Sequence, residues 1–143
     1  MVLFSKDRIL VPIDFSEESF QALKDTLAFS DPTPSVVHAI HVLSPLESTE
    51  PGNIWQSVDT ETRKAKVMES FAEAFPEGED MGISLVIDEG EASAKIIDYA
   101  KQHDIGLIVM PSTGKTGLSR FLMGSVTERV MRFAHCPVLV LRG

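Results

Sequence analysis

The sequence predicts an α/β protein in which helices cover both faces of a parallel sheet. Short apolar runs alternate along the chain with segments whose apolar residues recur at helical spacing. The runs are almost continuously apolar, as expected of strands that are buried on both faces. The segments between them are long enough for the helical crossovers that parallel strands require. We therefore expect one domain over residues 1–143, built on an open, doubly wound sheet of five parallel strands.

Two strands and two helices are predicted in the first half of the chain. Residues 8–13 form an apolar run that is followed by Asp14, and Ser16 supplies an N-cap for the first helix. Residues 36–43 are the second strand, and a proline-containing connection over residues 44–57 leads to the second helix. The side chains expected to face the core are Phe20, Leu23 and Leu27 in the first helix, and Ala65, Met68, Phe71, Ala72 and Phe75 in the second.

Three strands and two helices are predicted in the second half. The strands are residues 83–87, 105–110 and 138–141, and the helices between them are residues 93–103 and 126–134. A helix therefore separates every pair of successive strands, which favours a parallel sheet.

Composition and charge exclude several classes of protein. Hydrophobic residues make up 43% of the chain, which is typical of a globular protein rather than a disordered one. The formal net charge of −8 disfavours nonspecific binding to nucleic acid, because such binding needs a basic surface. No apolar run approaches the ~20 residues that span a bilayer, and residues 1–6 do not resemble a signal peptide. Because Cys136 is the single cysteine, no internal disulfide can form, and we expect a cytoplasmic protein.

A candidate phosphate site lies between the fourth strand and the fourth helix. Gly114 follows the strand, and Gly124-Ser125 opens the helix after nine intervening residues. Backbone N–H groups at a helix start have no intrahelical partner, and the helix dipole adds about half a positive charge there. Glycine also lets an anion approach the backbone closely. The alternative is that Gly114 is an ordinary turn residue and Ser125 an ordinary N-cap.

Asp14, at the end of the first predicted strand, is a second candidate. A carboxylate there can accept hydrogen bonds from a ribose hydroxyl or an adenine amino group. The alternative is a solvated loop residue, or a cap for the first helix.

Other patterns in the sequence do not form a site. Gly114-Lys115-Thr116 resembles the end of a P-loop, but Val109 stands where a P-loop has its first glycine. Lys115 and Arg120 are therefore either neighbours of a phosphate or surface charges. No nucleophile and base can be assigned to a catalytic set. The histidines lack the spacing of metal ligands, and His38 and His41 are expected on opposite faces of a strand; the four are His38, His41, His103 and His135.

Five blocks of sequence together point to one family. They are residues 9–16 (ILVPIDFS), 41–42 (HV), 90–92 (GEA), 124–130 (GSVTERV) and 135–140 (HCPVLV). In these blocks the chain resembles the universal stress protein family, whose members are small nucleotide-binding α/β proteins. The nucleotide signature of that family is a glycine, two residues, a second glycine, nine residues, and then Gly-Ser or Gly-Thr. Gly114 and Gly124-Ser125 match this signature, and Pro111 stands in place of the first glycine.

The resemblance implies a Rossmann-like sheet with strand order 3-2-1-4-5 and a nucleotide site at its switch point. Ligands bind outside the carboxyl ends of the strands at such a point, here between the first and fourth strands. It further implies ATP or AMP as ligand, with any Mg²⁺ or Mn²⁺ carried on the phosphates, Asp14 on the nucleoside and Val42 against adenine. The implied nucleotide-binding residues are Pro12, Ile13, Asp14, Val42, Met110, Pro111, Gly114, Gly124, Ser125, Val126 and Thr127.

Three functions are compatible with these features: a dimeric nucleotide-binding sensor in the stress response, an interaction protein that binds no nucleotide, and a slow ATP hydrolase. Pro111 separates the first two, because proline has no N–H to donate and its ring occupies space beside a ligand. Losing one neutral hydrogen bond costs about 0.5–1.5 kcal/mol, which weakens binding without abolishing it. The hydrolase has least support, because phosphate binding alone stabilises ground and transition states alike.

The last predicted strand is a candidate dimer surface. In the implied order, residues Pro137 to Arg142 lie at one edge of the sheet, and an apolar edge strand tends to pair with another chain. The resemblance also implies a homodimer through this strand. The alternative is a monomer whose edge is covered by a loop.

Overall fold

A computed structural model describes residues 7–30, 36–45, 60–113 and 123–142. Its strands are β1 (Arg8–Pro12), β2 (Val36–Leu43), β3 (Ser84–Glu89), β4 (Leu107–Pro111) and β5 (Val138–Leu141). Its α-helices are α1 (Glu17–Ser30), α2 (Thr60–Ala74), α3 (Ala92–Gln102) and α4 (Ser125–Phe133), and a 3₁₀ helix, Pro76–Met81, follows α2. Within these ranges, no helix combines the length and the apolar character needed to cross a bilayer.

The five strands form one parallel sheet in the order β3-β2-β1-β4-β5, which confirms the predicted fold. β1 is paired with β2 along its whole length, from Arg8 opposite Val36 to Pro12 opposite Ile40. With β4 it is paired only near its start, at Ile9 and Leu10. The carboxyl ends of β1 and β4 are therefore not paired with each other, and a crevice can open where the strand order reverses.

Two apolar clusters cover the two faces of this sheet. Successive residues of a strand point to opposite faces, so Ile9 and Val11 pack on one side and Leu10 on the other. The first cluster joins the sheet to α1 and α2, and the second joins it to α3 and α4. The predicted stripe of α1 is confirmed, because Leu23 is fully buried and Phe20 and Leu27 pack against the first cluster.

The predicted buried face of α2 is partly wrong. Phe71 and Phe75 are buried as expected, but Met68 is 57% exposed. Ala65 and Ala72 are exposed as well. The prediction places only apolar residues on the buried face, whereas the structure turns a charged residue towards the sheet edge.

That charged residue is Arg63, whose side chain is 18% exposed. Its guanidinium donates to the carbonyl of Ser44 at 2.7 Å and lies 3.6 Å from the carboxylate of Glu89. Both partners stand at the carboxyl ends of strands, after β2 and in β3. Arg63, paired with Glu89, thus lies on the inward side of α2, where the apolar pattern predicts only apolar residues.

Candidate functional site

A cavity of about 200 Å³ opens at the carboxyl edge of the sheet, where β1 and β4 separate. Its walls are the ends of β1, β2 and β4 and the first turns of α3 and α4. Every predicted site residue within the described ranges lines it: Pro12, Ile13, Asp14, Val42, Met110, Pro111, Gly124, Ser125, Val126 and Thr127. Gly114, Lys115 and Arg120 lie outside the described residues. The structure brings Asp14, after β1, to the same cavity as Pro111 and Gly124-Ser125. The assignment of these residues to a nucleotide stays a prediction.

Sequence reasoning missed six further residues of the wall: Ser19, Ile40, His41, Ala92, Ile96 and Thr113. Ile40, Ile96 and Met110 belong to the second core cluster, and Val42 and Val126 pack against it. One side of the cavity is therefore a continuous apolar surface. Among the described residues that line the cavity, none is a lysine or an arginine.

The start of α4 has no side-chain cap. Its N-cap residue is Gly124, which has no side chain to accept from the first turn. The N–H groups of Ser125, Val126 and Thr127 are the first of the helix and have no intrahelical acceptor. Helix geometry thus presents unused donors, with the positive end of the helix dipole, at the cavity wall.

Glycine is not required at position 124 by the fold of the described residues. Gly124 has φ −63° and ψ 149°, an extended conformation that any residue adopts. A Cβ added there would lie 3.6 Å from the carbonyl oxygen of Ser112 and 3.9 Å from Oγ1 of Thr127, which are ordinary contacts. A substitution at Gly124 can therefore test the cavity without straining the backbone.

The end of β4 is attached to α4 by two hydrogen bonds. The carbonyl of Pro111 accepts from Oγ1 of Thr127 at 2.9 Å, and the carbonyl of Ser112 accepts from the N–H of Gly124 at 2.8 Å. The N–H of Gly124 is therefore already occupied, and the donors available to a ligand begin at Ser125.

Pro111 is the last residue of β4, one position beyond the predicted strand. The N–H of Ile108 donates to the carbonyl of Pro137, just before β5, at 3.0 Å, and the N–H of Ser112 donates to the carbonyl of Leu141 in β5 at 2.9 Å. Because alternate residues of a strand bond to opposite neighbours, the nitrogen of Pro111 points towards β1. β1 is no longer paired with β4 at this position, so the proline removes no hydrogen bond of the sheet. The N–H that another residue would have here would point into the crevice.

Asp14 lies at the cavity and is hydrogen-bonded to the N-cap residue of α1. It lines the cavity, and its Oδ1 accepts from both the N–H and the hydroxyl of Ser16. The hydroxyl oxygen of Ser16 in turn accepts from the N–H of Ser19 at 3.1 Å, which confirms Ser16 as the N-cap of α1. These bonds fix the carboxylate at the cavity wall.

His41 is held in place at the same wall by the end of β1. Its Nδ1 lies 2.7 Å from the carbonyl oxygen of Ile13, and since a carbonyl only accepts, Nδ1 carries the hydrogen. The imidazole packs edge-on against Phe15, with ring centroids 5.0 Å apart. Phe15 itself has φ 66°, in the left-handed region that is uncommon for a residue with a side chain. In the sequence, only the position of His41 next to Val42 could have indicated that it lines the cavity.

His38 points to the other face of β2, as predicted. Its Nδ1 lies 2.6 Å from the hydroxyl of Tyr99 in α3. Burial lowers the pKa of His38, with His103 and Arg8 adding to the effect. No group of three metal-ligating side chains occurs among the residues that the structure describes.

The start of α3, in contrast to α4, is capped by a carboxylate. The side chain of Glu91 accepts from the N–H groups of Ser93 and Ala94 at 3.2 and 2.8 Å and from the Ser93 hydroxyl at 2.7 Å. These hydrogen bonds, the Ser93 hydroxyl first, lower the pKa of Glu91. The guanidinium of Arg129 in α4 lies 3.8 Å from the same carboxylate.

Comparison with known proteins gives one consistent result. The universal stress protein family matches residues 6–142. Universal stress protein MJ0531 of Methanocaldococcus jannaschii is 34% identical, over 94% of this chain and 81% of its own length. The solved structure of MJ0577 has a TM-score of 0.73 at 31% identity and covers 95% of each chain. UspA from Lactobacillus plantarum has a TM-score of 0.80 at 26% identity, over 96% of this chain and 98% of its own. With a family match along almost its whole length, this chain belongs to the universal stress protein family.

Proposed function

We propose that this protein binds an adenine nucleotide, ATP or AMP, in the cavity at the carboxyl edge of its sheet. We further propose that it acts as a dimeric sensor or signalling module in the stress response. The observation that carries the proposal is the uncapped start of α4, which lines the same cavity as an apolar wall and the carboxylate of Asp14. Each of these three features suits one part of a nucleotide.

The phosphate is assigned to the first turn of α4. The N–H groups of Ser125 and Val126 and the helix dipole offer partial positive charge. Because the chain carries a net charge of −8, an anion must be held by such local dipoles rather than by the mean field of the protein. Any Mg²⁺ or Mn²⁺ would be bound mainly by the phosphates themselves.

The nucleoside is assigned to the remaining wall. Val42, Met110 and Ile96 give an apolar surface against which an aromatic base can be removed from water. Asp14, fixed by Ser16, is the acceptor for a ribose hydroxyl or an adenine amino group. Two more distant structures of this fold, at 16% and 21% identity, are complexes with cAMP and dAMP. At that identity they establish the fold alone, and the case for this chain rests on its own residues.

The test is calorimetric titration of AMP and ATP into the wild type and Gly124→Val. Valine would place two methyl groups beside the donors of the first turn, so affinity should fall by about tenfold or more while the fold persists. The control is Met131→Ala, because Met131 is 47% exposed and does not line the cavity. Unchanged affinity in a folded Gly124→Val would refute the site assignment.

The alternative is an interaction protein of the same fold that binds no nucleotide. Pro111 favours it, because proline has no N–H to donate into the crevice, and so does the lack of a lysine or arginine on the described walls. Denaturing extraction of the purified protein, followed by nucleotide analysis, decides between the two. Extracts without nucleotide, together with no heat on titration of AMP or ATP, would establish the alternative. A slow ATP hydrolase has the least support, because phosphate binding alone stabilises the ground state and the transition state alike.

We also propose a homodimer through the strand Pro137–Arg142. Among the strands that the structure describes, β5 lies at one edge of the sheet and pairs with β4 alone, and Leu139 is 38% exposed. The carbonyls of Pro137 and Leu141 accept from the N–H groups of Ile108 and Ser112. The N–H and C=O groups of the odd-numbered residues of β5 therefore point towards β4. The N–H groups of Val138 and Val140 therefore face the open edge, where an antiparallel copy can pair about a two-fold axis.

Sedimentation of the wild type, Val140→Pro and Val140→Ala tests the dimer. Proline at position 140 removes an outward donor, so the dimer should dissociate, whereas alanine keeps the N–H and should preserve it. Leu139→Pro is unsuitable, because it would remove an inward bond to β4. A monomeric wild type, or a folded Val140→Pro that dimerises as tightly as the wild type, would refute the proposal.

A further inference from the structure

Thr127 is one of the few polar side chains buried at the cavity. It is 4% exposed, and its hydroxyl donates to the carbonyl of Pro111 at 2.9 Å. Residue 127 is the third of α4, a position from which a side chain commonly bonds back to the N-cap residue. Here the bond runs to the end of another element, β4.

The bond from Thr127 works together with the one from Gly124. The N–H of Gly124 donates to the carbonyl of Ser112, so successive carbonyls of one chain segment are held from the first turn of α4. Threonine is β-branched and stiff at χ1, which limits the ways in which this turn can shift. The donors at Ser125 and Val126 lie between the two attachment points.

We infer that Thr127 is a positioning residue, which holds the first turn of α4 against the carbonyl of Pro111 so that its N–H groups face the phosphate. This inference rests on the proposed nucleotide binding. Thr127 acts through a main-chain carbonyl, a group that any residue at position 111 would supply. The arrangement of the turn is therefore independent of the missing N–H of Pro111.

Three variants separate positioning from a general structural role. Thr127→Val has nearly the same shape and lacks the hydroxyl, and Thr127→Ser restores it. Thr26→Val is the matched control, because Thr26 is 2% exposed and its hydroxyl donates to the carbonyl of Ala22 at 2.7 Å inside α1, away from the cavity. Each valine removes one buried hydroxyl that is bonded to a main-chain carbonyl, so both should lower the melting temperature by similar amounts.

The first measurement is binding of AMP and adenosine by calorimetry. Thr127→Val should lower the affinity for AMP by about threefold to tenfold and the affinity for adenosine by less than about twofold, since only AMP has a phosphate. Thr127→Ser and Thr26→Val should keep the affinity of the wild type for both. Equal weakening of AMP and adenosine would mean that the hydroxyl contacts the nucleoside itself, and would overturn the inference.

The second measurement, amide hydrogen exchange at Gly124 without ligand, needs no nucleotide. Thr127→Val should accelerate exchange at this amide by about threefold to tenfold, and Thr26→Val should not. If the wild type binds neither ligand but Gly124 responds in this way, the attachment stands and the proposed function fails. If the nucleotide binds and Thr127→Val leaves both AMP affinity and Gly124 exchange unchanged, the inference fails and the function stands.

Discussion

The starts of α3 and α4 border the same cavity and are built in opposite ways. At α3 the carboxylate of Glu91 accepts from the first turn, whereas at α4 Gly124 offers no side chain. A Ser, Thr, Asn or Asp cap contributes about 0.5–2 kcal/mol relative to alanine, but only a few tenths of a kcal/mol relative to glycine. The absence of a side-chain cap at α4 therefore costs little stability and leaves the first donors of that helix without a side-chain acceptor.

This difference determines which of the two helix starts has backbone donors available to bind an anion. Glu91 supplies the donors of α3 with a negative charge from the chain itself, and a second anion there would be repelled. At α4 the donors of Ser125 and Val126 have no such partner, and the hydroxyl of Thr127 is directed to β4 instead. Under the proposed function, the phosphate of a bound nucleotide supplies the anion that the chain itself does not.

The largest expected effect comes from giving α4 the cap that α3 has. In Gly124→Asp, the extended backbone at residue 124 suits an N-cap, and the new carboxylate would accept from the first turn. Stability should rise by roughly a few tenths of a kcal/mol, since aspartate caps a helix only slightly better than glycine. AMP affinity should fall by about a hundredfold, because the donors are taken and the charge repels phosphate. Thermal unfolding and calorimetry measure the two effects.

Gly124→Ala is the control for that change. Its Cβ makes ordinary contacts and caps nothing, so we expect neither the gain in stability nor the large loss of affinity. An aspartate variant that is stabilised yet binds AMP as tightly as the wild type would contradict our interpretation of the uncapped helix.

A smaller effect is expected at Pro111, beside the same helix start. Pro111→Gly restores an N–H that points into the crevice, so AMP should bind about threefold to tenfold more tightly. Glycine also loosens the end of β4, so melting temperatures should be recorded with the titrations. Equal or weaker affinity in the folded variant would show that the proline is compatible with the ligand.

The smallest effect is a pH dependence confined to the start of α3. The pKa of Glu91 is lowered in the folded protein from its ordinary value of 4.5, so the unfolded chain binds the proton more readily. The contribution of the carboxylate is therefore present above pH 4.5 and is lost as the pH falls through the folded pKa. Urea unfolding from pH 6 downward should show a smaller decrease in the free energy of unfolding for Glu91→Gln than for the wild type.

Ser93→Ala sharpens the same measurement. The Ser93 hydroxyl is the largest cause of the lowered pKa, so removing it should reduce the acid loss in part. An acid loss that is identical in the wild type and Glu91→Gln would mean that the cap of α3 contributes nothing measurable.

The sheet could be predicted because successive strands are apolar runs that are separated by helical segments. β2 and β5 begin and end at the predicted residues. The buried face of α2 could not, because Arg63 takes an inward position through partners that are distant in sequence, Ser44 and Glu89. Apolar periodicity contains no information about such an ion pair.

The site shows the same limit. Asp14 and Gly124-Ser125 could be expected at one edge of the sheet because they stand at ends of predicted elements, whereas Val42 was singled out by the family resemblance alone. His41 could not, since its orientation depends on the carbonyl of Ile13 across the strand pair. Nor could the sequence reveal that the N–H of Gly124 is occupied by the Ser112 carbonyl.

Ser112 gives this arrangement a mechanical consequence. Its carbonyl is bonded to Gly124 at the cavity, and its N–H is bonded to Leu141 in the edge strand, at 2.8 and 2.9 Å. One residue thus serves as a rivet between the mouth of the cavity and the rim of the sheet. Because both bonds come from one residue, we expect a displacement at the start of α4 to be accompanied by a displacement of β5.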